Sequence, residues 1–88
     1  MGGIKRVVIQ VLIPLQISSI ELVKKIGKMK SVESVDINVE EVERTIEIAN
    51  ITIIGDELDF EQIRKVIEDT GASIQSIDRV SYGKLAEQ

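Results

Sequence analysis

The amino-acid sequence predicts an α+β sandwich, a four-stranded antiparallel sheet with two helices on one of its faces. Three observations predict it. The spacing of apolar residues switches along the chain between a strand period and a helix period. Two helix-start spellings, Ser18-Ser19-Ile20-Glu21 and Asp59-Phe60-Glu61-Gln62, each follow a strand-like run. Ile, Val and Leu supply 31 of the 88 residues, and 16 of these are Ile. Such β-branched side chains suit a pleated, packed surface.

Ile4 to Ile13 reads IKRVVIQVLI, a nearly continuous β-branched run of the kind found in strands buried on both faces or nearly so. Pro14 ends it, because proline has no N–H for the ladder. Ser18 then accepts from the amide three residues on, opening a helix. Ile20, Val23 and Ile26, with Leu22 and Met29, fall on one side at helical spacing. Lys24, Lys25 and Lys28 take the other side, toward the C-terminus where the helix dipole favours cations. Gly27, near the end of this helix, reads as a tolerated surface glycine; the alternative is close approach of helix to sheet.

From Val32 the period becomes two. Val35, Ile37 and Val39 alternate with Asp36, Asn38 and Glu40, as in a half-buried antiparallel strand. Residues 40 to 45 read as a hairpin connection. Ile46 to Ile54 is the next strand, with Ala49, Ile51 and Ile53 pointing one way and Ile46, Ile48, Asn50, Thr52 and Ile54 the other. The second helix has Asp59 as N-cap, Leu58 and Ile63 as a hydrophobic staple, and a buried stripe of Phe60, Ile63, Val66, Ile67 and Thr70. Gly71 follows its end, where positive φ is needed. Ser73 to Tyr82 is the last strand. Ile74, Ile77 and Val80 do not keep a clean period of two, which predicts a bulge.

The element order is the ferredoxin-like split βαβ, βαββαβ. Right-handed crossovers give the strand order 4-1-3-2. Residues 1–88 are expected to form a single domain of this kind, with 83–88 a polar tail.

Composition excludes several functions. Cysteine and histidine are absent, which removes disulfides, Cys or His zinc sites, Cys–His nucleophiles and a Ser–His–Asp triad. Zero cysteine fits either a reducing compartment or a hot one. The net charge of -4 repels a polyphosphate, so no nucleic-acid partner is expected. The apolar run Val7 to Leu15 is broken by Gln10 and Pro14 and is far short of the ~20 residues that span a bilayer. The expectation is a soluble, cytoplasmic protein without a membrane partner.

Known uses of the fold also fail residue by residue. RNA stacking needs aromatics on the sheet, and the chain has one Phe and one Tyr. Pro14-Leu15-Gln16-Ile17 stands where a copper chaperone has Cys-x-x-Cys. The same loop lacks the glycines and arginine of a phosphate cradle, and neither G-x-x-x-x-G-K-[ST] nor G-x-G-x-x-G occurs. No catalytic residue is assigned and no enzyme is expected.

The sheet face away from the helices carries the functional expectation. Val8, Leu12, Ile46, Ile48 and Ile54 fall on it, a set of large aliphatics that water would otherwise wet. A large apolar patch marks an interface, and self-association is its commonest form. Asp36, Glu40, Glu41, Glu43 and Glu47 gather around the central hairpin. Oxygen donors suit Ca2+ or Mg2+, so these five are the metal candidates, against the alternative of a solvated hairpin end that resists edge pairing.

Two stretches resemble a known family. One is Gly55-Asp56-Glu57-Leu58-Asp59-Phe60-x-x-Ile63-x-x-x-Ile67-Glu68-x-x-Gly71-x-x-Ile74-x-Ser76-x-Asp78-x-Val80-x-x-Gly83. The other is Ile4-Lys5-Arg6-Val7-Val8-Ile9-x-Val11-Leu12-x-Pro14, with Val32-Glu33-x-Val35. They resemble domain-of-unknown-function family 211, small and mostly archaeal proteins. The resemblance implies a ferredoxin-like fold, an archaeal cytoplasm, ring-like or other homo-oligomers and no assigned activity. Gln10 stands where members tend to carry Asp, and Gln75 where they often have His. The expected function is therefore a non-enzymatic homo-oligomeric module, its partner a second copy of itself, with a small ligand or ion held between subunits. The alternatives are a Ca2+ or Mg2+ binder using the hairpin acids, and an adaptor that docks another protein.

Overall fold

A computed structural model describes residues 2–84; the end of the expected polar tail, 85–88, lies outside the described residues. The elements are β1 (Gly3–Pro14), α1 (Ser19–Gly27), β2 (Val32–Val42), β3 (Ile46–Gly55), α2 (Phe60–Asp69) and β4 (Ser73–Gly83). The strands form one antiparallel sheet in the order β2-β3-β1-β4, which is the ferredoxin-like 4-1-3-2 order read from its other edge.

The two central strands set the core. Val7, Ile9, Val11 and Ile13 of β1 and Ala49, Ile51 and Ile53 of β3 are fully buried. They meet Leu22 and Ile26 of α1 and Ile63 and Ile67 of α2 in one cluster. Both helices start as their caps dictate. Ser18 Oγ accepts from the Glu21 amide at 3.2 Å, and Asp59 Oδ1 accepts from the Gln62 amide at 3.3 Å. Leu58 and Ile63, the staple pair, are both buried. Gly71 takes a φ of 102° just after α2.

Four details differ from the sequence reading. The hairpin connection is shorter, because Glu41 pairs with Ile48 and Val42 with Glu47, which leaves residues 43–45 as the turn. Ile20 is 66% exposed, since Leu22 and Ile26 define the buried stripe of α1. Phe60 is only half-buried. It packs at the rim of the core with the Arg64 guanidinium 5.4 Å from its ring centroid, a cation–π geometry. Val39, on the helix side of edge strand β2, is 40% exposed. Helices of nine and ten residues reach only ~15 Å. The strands run more than twice that length, ~36 Å, so the helix layer leaves parts of the sheet edges bare.

The expected irregularity of the last strand is present. The β1–β4 register shifts between Val8 and Ile9 and again between Gln10 and Val11, and a third shift lies between Ile4 and Arg6. Each inserts an extra residue and bends the ladder.

Two glycines have opposite meanings. A Cβ on Gly55 would lie 2.0 Å from the Ser31 carbonyl oxygen, whereas one on Gly27 would meet only Val35 Cγ2 at 3.9 Å. Gly27→Ala is therefore expected to stabilise the protein by up to about 1 kcal/mol, the helix cost of glycine. Gly55→Ala should destabilise it, because backbone must shift. Urea melts of the two variants check both signs. In the same assay Ile63→Ala should cost about 2–5 kcal/mol. Phe60→Ala should cost less, because its ring packs at the rim of the core and is already partly exposed.

Candidate functional site

The site is built on the face of the sheet opposite the helices. Its phase follows from the core: with odd-numbered Val7 to Ile13 buried, Arg6, Val8, Gln10, Leu12 and Pro14 point the other way. The ladder partners extend this into rows across the strands. Asp36, Thr52, Val8 and Arg79 form one row. Asn38, Asn50, Gln10 and Ser76 form the next, and Glu41, Ile48, Leu12 and Ser73 the one after.

All five aliphatics expected at an interface lie on this face, and all five are half-buried. They are not one patch. Ile48 sits opposite Leu12, and Ile46 opposite Pro14, at the hairpin end. Val8 pairs with Thr52, and Ile54 pairs with Arg6, toward the other end. Between the two groups runs the row of amides and a hydroxyl. The Asn50 side-chain amide donates to Glu40. Its Oδ1 is buried with no hydrogen-bond partner among the described residues. The Ser76 hydroxyl donates to Asp78 Oδ1 at 2.8 Å.

The hairpin acids are divided by the same alternation. Asp36, Glu40 and Glu41 belong to the open face. Glu47 lies opposite Ile13 and two residues from buried Ala49, on the helix side, and its Oε1 is buried without a hydrogen-bond partner among the described residues. Glu43 is in the turn, where its amide donates to the Ile46 carbonyl at 2.8 Å. Among the described residues no three acids are grouped so as to hold a metal ion. A groove of about 390 Å3 lies elsewhere, between the end of α1 and the start of α2, lined by Met29, Val32, Leu58, Ile63 and Val66 among others.

Two features escape a sequence reading. Ser76 and Arg79 join the open face because bulges in β4 reset its phase; the three-residue spacing of Ile74, Ile77 and Val80 marks the intervals that hold the extra residues, but not which residue in each is extra. Val42 on β2 and Ile77, Val80 and Tyr82 on β4 are more than half or half exposed, at 62%, 50%, 53% and 72%. They are exposed because β2 and β4 are edge strands, which is a fact of strand order rather than of local pattern.

The family model for domain-of-unknown-function family 211, described as uncharacterized ArCR, matches residues 5–87. An uncharacterized protein of the archaeon Methanocaldococcus jannaschii is 36% identical over 84 residues, which is 96% of this chain and 87% of that relative. Among the described residues no helix is long and apolar enough to cross a membrane.

The divided hairpin acids generate a prediction. Only Asp36, Glu40 and Glu41 share a face, no rigid loop holds them, and Glu40 is already occupied by Asn50. Ca2+ should bind at about the millimolar end of the known range. A titration followed by melting temperature checks it, and a low-micromolar dissociation constant would reverse the conclusion.

Proposed function

We propose a function from the premise that the chain belongs to domain-of-unknown-function family 211: it is a non-enzymatic module that works as a homo-oligomer and buries its open sheet face against other copies of itself. One observation carries the reading. The open face is neither core nor ordinary wetted surface: Leu12, Ile46, Ile48, Val8 and Ile54 stand on it, half-buried, on either side of a row of amides. Removing apolar surface from water yields about 25 cal/mol per Å2, and a second copy supplies the surface that covers it.

The polar row supports the finer part of the reading, that a small polar ligand or an ion sits between subunits. Carboxamides and a hydroxyl offer donors and acceptors together, and pairing two faces encloses them. The archaeal source of the relative supports an archaeal setting.

Ile48→Lys tests the reading. Ile48 is on the face away from the helices, so the monomer should stay folded. A lysine there lies opposite Glu41 on the exposed edge strand, but a charged, hydrated side chain in place of an aliphatic one opposes packing of the face, since even a paired charge costs several kcal/mol to desolvate. The variant is expected to sediment as a monomer with unchanged circular dichroism, while wild type sediments as an oligomer. Wild type sedimenting at 9.8 kDa at high concentration would overturn the reading.

A further inference from the structure

We infer that Arg6 and Arg79, neighbours on adjacent strands of the open face, form a binding site for a dianionic phosphate group, free or carried on a small ester. This deepens the reading that a small polar ligand sits on this face, and it rests on that part of it. Both arginines belong to one copy, so the site is complete without self-association.

The ladder brings the two together. Arg6 of β1 lies opposite Ser81 of β4, and Val8, two residues on, lies opposite Arg79. Arg6 and Arg79 are therefore diagonal neighbours on one face, with Cβ atoms ~7–8 Å apart or less, within reach of long side chains. On the β3 side the partners of Arg6 and Val8 are Ile54 and Thr52. The positions around the two arginines are thus apolar at Val8 and Ile54 and hydroxyl-bearing at Ser81 and Thr52. Arg6 is half-buried and Arg79 is exposed. Neither takes part in a side-chain hydrogen bond or an ion pair among the described residues.

Two guanidinium groups side by side repel each other, and a shared anion relieves the repulsion. The acids near them do not fill that role. Asp56 is ion-paired with Lys5. Asp78, next to Arg79 in the chain, accepts from Ser76 and makes no ion pair with Arg79. Asp36, in the same row as Arg79, is three strand spacings away, about 14 Å, which exceeds the Debye length of ~8 Å at physiological salt. The shape of the donors then selects the ligand. A carboxylate offers one edge to one guanidinium fork, whereas a phosphate offers several edges and takes two forks at once. Its double charge matches the two arginines, and the Ser81 and Thr52 hydroxyls are neutral donors beside them. The net charge of -4 repels a polyphosphate, but a single phosphate meets the local field of this end of the sheet. One row beyond Arg79, ~7 Å along the strand, stands Gln10. Its carboxamide is in no side-chain hydrogen bond among the described residues, and it has a donor and an acceptor for a hydroxyl on the remainder of an ester.

Calorimetric titration of the full chain with inorganic phosphate, at constant ionic strength, is the test. Arg6→Gln and Arg79→Gln should each weaken binding about tenfold or more, the loss of a charge-assisted fork. Arg6→Lys and Arg79→Lys keep the charge and lose the fork, so each should bind between wild type and its Gln counterpart. Arg44→Gln, in the hairpin turn outside the site, should bind as wild type does. Circular dichroism verifies that each variant is folded. Two further probes separate the sources of the group. Glycerol phosphate that binds more tightly than inorganic phosphate, with the difference lost in Gln10→Leu, supports the site and identifies an ester. Equal affinity for the two, unchanged in Gln10→Leu, supports the site and identifies the free ion. Wild type that binds phosphate no better than chloride overturns the site, as does succinate bound as tightly as phosphate, or a loss in Arg44→Gln equal to that in the other Gln variants. A wild type that self-associates yet fails to bind phosphate overturns this site and leaves the self-association standing. A monomeric wild type that binds phosphate through both arginines overturns the self-association and leaves this site standing.

Discussion

The antiparallel pairing of β1 with β3 is the constraint on which the rest of the molecule depends. Val7 faces Ile53, Ile9 faces Ile51 and Val11 faces Ala49, and all six side chains are fully buried. The side-chain period of a strand is two, so a slip of one residue would move this entire set to the opposite face. The helices have nowhere else to bury Leu22, Ile26, Ile63 and Ile67. Once the central pair is in register, the crossovers place α1 and α2, and the outer strands can add only at the two free edges. The loop after β3 is fastened to the same pair: the Leu58 amide donates to the Ile4 carbonyl at 2.9 Å, and Lys5 is ion-paired with Asp56.

The same register composes the other face. Every residue that β1 and β3 do not spend on the core appears there, in rows that neighbouring strands complete. Those rows alternate in character: aliphatic at the hairpin end, amide in the middle, then Val8 and Thr52 between an acid and an arginine. A face meant for water would carry charge throughout. A face meant only for a lipid or a greasy partner would not place Gln10, Asn50 and Asn38 side by side. The mixture of aliphatic and amide rows is the feature on which the proposed self-association rests. Buried polar groups at such a contact fix orientation more than they add affinity.

The short helices have a separate consequence. They cover the central strands completely and the edge strands partly, which exposes Val39 and Val42 on β2 and Ile77 and Val80 on β4. An uncovered edge invites pairing with another chain. The bulges of β4 and the acids of β2 limit this, the first by bending the ladder and the second by placing Glu33, Glu40 and Glu41 along the edge. Alternation also divides the hairpin carboxylates between two faces and a turn.

The sequence by itself determined the element order, both N-caps, the C-terminal glycine of α2 and the phase of the three strands that keep a clean period. Local chemistry decides these. Ser18 and Asp59 can accept from amides only three residues away, and alternation in Val35–Val39 or Val7–Ile13 needs no distant partner to be legible. It also named the five aliphatics of the open face, because phase alone assigns them. Tertiary structure decided what lies between them. Whether Val8 and Leu12 make one patch or two depends on Gln10 meeting Asn50, and that is a matter of register between residues forty positions apart. It decided that Arg79 shares a row with Asp36, since the broken period of Ile74, Ile77 and Val80 announces bulges but not which residue in each interval is extra. It decided that Phe60 stands at the rim and Ile20 in water, because the way each helix sits on the sheet sets how far burial extends along an apolar stripe. Local periodicity tells which way a side chain points. Only packing tells what it meets there.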